Sequence, residues 1–306
     1  MIHSNNRKFL ILSTLVFPVL LLGCQWFTPT PLNNPVASHT PMPSTATITT
    51  TATPSSTPTQ TPTETTPEPT DTPTIIPSAT WVYNEPGQVI APILLYHHIS
   101  SESDHNRYNV SVPEFQAQMQ ALYDHGYTAV SISRVVDALL NGADLPEKPV
   151  VITFDDGHMS VYENAFPIME SFGFPGVFYI VANRINNSPD FVNIEQIKTM
   201  IDAGWEIGSH GYTHTDVTLN RDAVYFEIAQ SRNNLKQALS TEIATFAYPF
   251  GTIDSFTAQK VIEYGYSAGM GLGTRIVHTF DSLWYMHRIE IYGEYTLDDF
   301  LMRIDP

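Results

Sequence analysis

Cysteine is almost absent from this chain: Cys24 is the only one in 306 residues. Disulfides therefore cannot staple the fold, and redox chemistry at cysteine is excluded from everything after it. A domain of this size can do without such cross-links, because its core is large enough. Basic residues are also scarce, with 14 Lys and Arg against 31 Asp and Glu and a net charge of −17. That imbalance argues against nucleic acid or an anionic lipid surface as a partner held by charge, and it tolerates a neutral or cationic polymer. No long apolar run is present either. The most hydrophobic stretch, from Phe9 to Leu22, falls short of the roughly 18–20 residues that cross a bilayer.

That short stretch sits where an export signal belongs. Arg7 and Lys8 precede it, and it ends in Leu21-Leu22-Gly23-Cys24. The layout predicts a secretory signal over residues 1–24, and its end resembles the lipobox of bacterial lipoproteins. The expectation is cleavage before Cys24, lipidation of that residue and an anchored protein facing the periplasm or the exterior. Residues 25–80 are dominated by Thr, Pro and Ser, as in Thr45-Ala46-Thr47-Ile48-Thr49-Thr50. Few apolar side chains are available there to offset chain entropy, and proline favours extended backbone, so the segment reads as a disordered linker. Residues 81–306 are then the folded domain.

Within that domain apolar runs alternate with amphipathic stretches. Strands are predicted at 90–96, 150–154, 176–182, 205–208, 244–248, 266–270 and 285–291. Between them Phe115, Met119 and Leu122 recur at helical spacing behind a Ser111-x-x-Glu114 capping box, with Gly126 as the stop. Asn193 caps a second helix that ends at Gly204; others run from Asn220 to Leu239 and from Ser255 to Tyr264. Near-continuous apolar strands separated by helices imply a parallel sheet covered on its outer face. About seven of them suggest an α/β fold: a distorted or incomplete (β/α) barrel. Active sites in such barrels gather at the C-terminal ends of the strands. His97 and His98, Asp155 and Asp156, His210, and Tyr248-Pro249 all fall there.

Two segments carry chemistry. Thr153-Phe154-Asp155-Asp156-Gly157 places two carboxylates directly after an apolar strand, where they repel each other unless a cation or proton is shared. Ser209-His210-Gly211-Tyr212-Thr213-His214 places two imidazoles at i, i+4, in Gly- and Thr-rich surroundings rather than on an apolar helix face. A hydrolytic divalent metal needs about three such ligands and an open position. One carboxylate is left over to handle protons.

Together these segments resemble the polysaccharide deacetylase family, also called the NodB-homology domain or carbohydrate esterase family 4. Leu95-Tyr96-His97-His98-Ile99, Glu147-Lys148-Pro149-Val150-Val151-Ile152 and Gly204-Trp205-Glu206-Ile207-Gly208 extend the likeness across essentially all of residues 90–300. They look most like the branch of exported poly-N-acetylglucosamine deacetylases. The resemblance implies that Asp156, His210 and His214 hold a divalent metal, Zn²⁺ or alternatively Co²⁺, Ni²⁺ or Mn²⁺. Asp155 is then the general base that activates the attacking water, and a backbone N–H near Tyr248 stabilises the oxyanion. The implied partner is an acetylated glycan polymer: poly-N-acetylglucosamine, a chitin-like chain or peptidoglycan. O-deacetylation of xylan or another glycan, and glycan binding without turnover, are the rival readings.

The chain departs from the family pattern in two places. Ala247, in Phe246-Ala247-Tyr248-Pro249-Phe250-Gly251, stands where an arginine commonly orients the base. No late motif marks the acid that protonates the leaving amine; His287, His97 and His278 are the candidates. Tyr212, Tyr248, Phe250 and Trp284 are available for sugar stacking.

Overall fold

A computed structural model describes residues 79–101 and 106–304, all within one compact unit spanning residues 72–306. The predicted signal segment, Cys24 and the Thr/Pro-rich stretch lie outside the described residues. Seven parallel strands form the framework: β1 (Ile93–Tyr96), β2 (Pro149–Phe154), β3 (Val177–Ile180), β4 (Glu206–Ser209), β5 (Thr245–Ala247), β6 (Ala268–Met270) and β7 (Ile289–Glu290). Their spatial order is β6-β5-β4-β3-β2-β1-β7. The two ends of this sheet meet. Met270 of β6 forms a parallel bridge with Met286, and Gly273 N–H donates to the Arg288 carbonyl at 3.0 Å. The result is the expected distorted (β/α) barrel, closed between β6 and the approach to β7 by a short ladder rather than a full strand pair.

Alternation along each strand sorts the side chains into two cores. Ile152, Phe154, Phe178, Ile180 and Phe246 face outward into a large cluster with the helices. Val151, Val177, Tyr179, Ala247, Met270 and Met286 face a second, inner cluster. Every residue of β2 is buried, which explains its continuous apolar reading. The covering helix Val112–Asp124 starts on the predicted capping box: Ser111 Oγ accepts the Glu114 N–H, and the Glu114 carboxylate accepts the Ser111 N–H. Asn193 caps Ile194–Asp202 in the same way with Gln196.

Five of the seven observed strands are shorter than the apolar runs that predicted them. The run at 90–96 is split by Ala91-Pro92: Gln88–Ile90 pairs antiparallel with Val277–Thr279, and only residues 93–96 join the barrel. The helix expected from Asn220 to Leu239 is a 3₁₀ turn at Arg221–Ala223, a π-helical segment at Tyr225–Gln230 and an α-helix at Ser231–Leu239. The π segment changes which residues face the barrel, with consequences for the site. Among the described residues no helix is long and apolar enough to cross a membrane.

Candidate active site

The inward phase of β2 runs through Val151 and Thr153 to Asp155, which puts Asp155 at the top of the lumen with 2% of its surface exposed. A lone carboxylate there would carry a large desolvation cost. Arg288, itself 1% exposed, meets it with two parallel bonds: Nη1 donates to Oδ1 at 2.7 Å and Nη2 to Oδ2 at 2.8 Å. The Arg288 Nε donates to the Gly271 carbonyl at 3.2 Å, which fixes the guanidinium plane. Burial alone would raise the Asp155 carboxyl, but Arg288 and His210 outweigh it and hold its pKa below the usual carboxylate range. A fully ionised carboxylate, aimed by a fork, is what a base requires.

Arg288 is therefore the residue that holds Asp155 in a chain with Ala247 at the position discussed above. The sequence carried a signal for it. On the approach to β7, Met286, Arg288 and Glu290 share one phase, and Met286 belongs to the inner cluster. Alternation sends Arg288 inward and His287 outward. His287 is half-buried, its Nδ1 accepts the Arg275 N–H, and it is not among the residues lining the site cavity. His278 is buried elsewhere, with Nε2 on the Ala91 carbonyl at 3.1 Å. His97 does line the cavity, and its ring lies 4.8 Å from that of Tyr108. Burial lowers its pKa, against the opposing pull of Asp155 and Asp156.

Asp156, His210 and His214 converge on one point: one potential ligand atom from each falls within 4.8 Å of the others. His214 Nε2 lies 3.5 Å from Asp156 Oδ1. His210 is oriented by its far nitrogen, Nδ1, which donates to the Ala247 carbonyl at 2.9 Å and leaves Nε2 facing the site. Burial and the neighbouring His210 lower the His214 pKa to about 4, so its imidazole is neutral and ready to ligate. Asp156 is held ionised: the effects of His158, His210 and His214 outweigh its burial. One carboxylate and two imidazoles are a donor set that fits a borderline divalent ion such as zinc. Asp156 also attracts cations from the protein, since Arg184 Nη1 donates to its Oδ1 at 2.7 Å. Arg184 and His158, whose Nε2 lies 3.6 Å from Asp156 Oδ2, were not anticipated from sequence.

Backbone strain gathers here as well. Among the described residues five non-glycines have positive φ, and Asp156 (78°), His214 (67°) and Phe250 (60°) are three of them. All three line the same cavity, of about 310 Å³, together with His97, Asp155, His210 and Arg288. Strained backbone of this kind costs about 1–3 kcal/mol per residue and persists where surroundings over-determine it, commonly at functional sites.

The oxyanion donor is the one expectation that the hydrogen bonds redirect. The Tyr248 N–H is spent on the Met270 carbonyl at 3.1 Å, as part of the sheet. Two residues on, Phe250 occupies the 3₁₀ turn Pro249–Gly251, and among the described residues no acceptor takes its N–H. Orphan donors are intrinsic to the start of a helical turn. Phe250 is 61% exposed, and its ring lies 4.6 Å from that of His214. Of the four candidate stacking aromatics, Tyr248 and Phe250 line the cavity; Tyr212 and Trp284 do not.

Comparison with known proteins agrees with this geometry. The family profile described as polysaccharide deacetylase matches residues 142–269, a span holding every candidate metal ligand and Asp155 but ending before Arg288. The putative polysaccharide deacetylase YxkH of Bacillus subtilis (strain 168) is 26% identical over 215 residues, covering 70% of this chain and 75% of that protein. The poly-beta-1,6-N-acetyl-D-glucosamine N-deacetylase of Staphylococcus aureus (strain MRSA252) is 23% identical over 206 residues, covering 63% of this chain and 71% of that protein. The solved structure of Streptococcus pyogenes deacetylase PplD in complex with acetate superposes with a TM-score of 0.65 at 25% identity, covering 71% of this chain and 99% of the other. With the motif residues gathered in one cavity of a matching barrel, residues 142–269 match the polysaccharide deacetylase family, which is what the sequence motifs resemble.

Proposed function

We propose that this protein removes N-acetyl groups from an N-acetylglucosamine polymer, using a divalent metal held by Asp156, His210 and His214 and releasing acetate. The observation that carries the reading is the pairing of Asp155 with Arg288 beside that three-residue ligand set. A carboxylate kept ionised next to a candidate metal site serves proton abstraction from water.

When bound there, a divalent ion, Zn²⁺ first, supplies Lewis acidity that polarises the acetyl carbonyl and lowers the pKa of water toward about 7. Asp155 takes the proton of the attacking water, and Arg288 holds its two oxygens so that only small motion is needed. The Phe250 N–H stabilises negative charge on the former carbonyl oxygen. His97, which lines the same cavity, delivers a proton to the leaving amine as the C–N bond breaks. Burial lowers the His97 pKa, so the proton it delivers is drawn from solvent, and the one Asp155 has taken from water is returned to solvent. Water and amide become acetate and free amine, with no other co-reactant. Phe250 and Tyr108 offer exposed ring surface at the cavity for a sugar face.

The likeness to a poly-beta-1,6-N-acetyl-D-glucosamine N-deacetylase favours that polymer over chitin-like chains or peptidoglycan. Export and lipid anchoring through Cys24 complete the proposal and would place the site where such polymers are. The test is acetate release from β-1,6- and β-1,4-linked N-acetylglucosamine oligomers and from acetylated xylan, with each of Zn²⁺, Co²⁺, Ni²⁺ and Mn²⁺. Release from the first class supports the proposal. Release from xylan alone replaces it with esterase activity, and metal-loaded protein silent on all three sinks the enzyme reading.

A further inference from the structure

Glu227 is the most completely enclosed carboxylate that the chemistry above leaves unused. It is 1% exposed, and among the described residues no Lys, Arg or His forms an ion pair with it. A buried carboxylate without a cation survives only if hydrogen-bond donors replace its water. All the donors come from one place. The Tyr212 N–H reaches Oε2 at 2.9 Å, the Thr213 N–H reaches Oε2 at 2.9 Å and Oε1 at 3.2 Å, and the Thr215 N–H approaches Oε2 at 3.5 Å. The Thr213 hydroxyl donates to Oε1. These residues are the turn between and just beyond His210 and His214.

Two carbonyls of that turn are spent as well. The Gly211 and Tyr212 carbonyls accept the N–H groups of Ala182 and Asn183, each at 3.0 Å. The turn is thus held by its carbonyls on one side and by a single carboxylate on the other. Gly211 is part of the same device: at φ +82° a side chain is strained, and a Cβ there would lie 2.8 Å from Glu227 Oε2. The strained φ of His214 falls inside this clamped segment.

We propose that Glu227 is the positioning residue of the metal site. Its carboxylate gathers the amides of residues 212–215 and so sets the rotation of His214 relative to His210. The π-helical segment Tyr225–Gln230 supplies the phase that aims it inward. A glutamine in its place has one acceptor oxygen and brings an NH₂ toward amides that also donate. The turn then relaxes, and the two imidazoles no longer share a focus without being pulled together by the ion.

This inference rests on the metal reading of Asp156, His210 and His214, and the experiment separates the two. Zn²⁺ affinity is measured by competition with a chromophoric chelator for the full-length protein, Glu227→Gln and Thr213→Val, with circular dichroism of each metal-free form. Outer-shell partners typically change metal affinity 10–100-fold. Folded Glu227→Gln should bind Zn²⁺ at least about tenfold more weakly, with turnover restored by excess Zn²⁺. Thr213→Val, which deletes one donor from an exposed side chain, should lose a smaller but measurable factor. Both variants within twofold of the wild type would overturn the proposal; if Glu227→Gln does not fold, Thr213→Val decides by the same criterion. Wild-type protein that binds no divalent ion would instead sink the metal reading beneath it.

Discussion

Replacing Arg288 by methionine gives a quantitative test of the reading of the base. Arg288→Met keeps an unbranched side chain of similar length in the lumen but leaves the Asp155 carboxylate, 2% exposed, without its two charged donors. Removing one partner of a buried pair costs about 3–5 kcal/mol, because the remaining charge is uncompensated. With a urea slope near the upper end of about 1–3 kcal/mol/M, the unfolding midpoint should fall by about 1–2 M. Adding Asp155→Asn removes the stranded charge. In the double variant most of that loss should vanish, for a coupling energy of about 3 kcal/mol, far above the ~0.5 kcal/mol expected of independent sites. Turnover of Arg288→Met should drop about 10²–10⁴-fold, the usual worth of a positioned base, while Zn²⁺ affinity stays, since Arg288 bonds none of Asp156, His210 or His214. Urea titrations of the four proteins and a chelator competition supply every number. A coupling within ~0.5 kcal/mol, or near wild-type turnover in Arg288→Met, would refute the assignment.

Further outcomes follow from the same geometry. His97→Gln should reduce kcat by at least about a hundredfold with KM for the glycan little changed, whereas His287→Gln should stay within twofold; the reverse order in steady-state kinetics would move the acid to His287. Asp155→Asn should lose turnover yet retain its metal by elemental analysis, and loss of metal instead would mean the two aspartates have exchanged roles; His214→Ala should lose the metal, and unchanged metal content would refute its ligand role. Burial raises the pKa of Glu206, opposed by the Ser133 N–H and hydroxyl bonds to its carboxylate. The native state thus favours its protonated form, and the ionised form costs stability above the glutamate range. Glu206→Gln should therefore raise Tm at pH 7–8, with the gain shrinking as pH falls through and below that range. Calorimetry showing a gain that grows on acidification would contradict the sign.

Much of the site could be read from sequence because its residues sit in contiguous segments after apolar strands. Residues 153–157 and 209–214 need only their own strands to bring Asp155, Asp156, His210 and His214 to one end of a barrel. The parts that escaped are set by phase and by distant partners. Arg288 hides behind the more conspicuous His287, and only strand alternation from Met286 separates inward from outward. The proposed oxyanion donor is Phe250 rather than Tyr248, because β5 carries its pairing one residue past its end, to Met270, before the 3₁₀ turn leaves an N–H without an acceptor among the described residues. Glu227 is visible only once the expected α-helix yields to a π segment, which no periodicity in Asn220 to Leu239 announces. Arg184 reaches Asp156 from a short 3₁₀ turn, Ala182–Arg184, after β3.

The most direct measurement is acetate released from a β-1,6-linked N-acetylglucosamine oligomer by metal-stripped, Zn²⁺-reloaded and Zn²⁺-reloaded Asp155→Asn protein, side by side. Release by the reloaded wild type alone is the predicted result. Equal release by the stripped protein or by Asp155→Asn would contradict a metal site at Asp156, His210 and His214 served by an Arg288-held base.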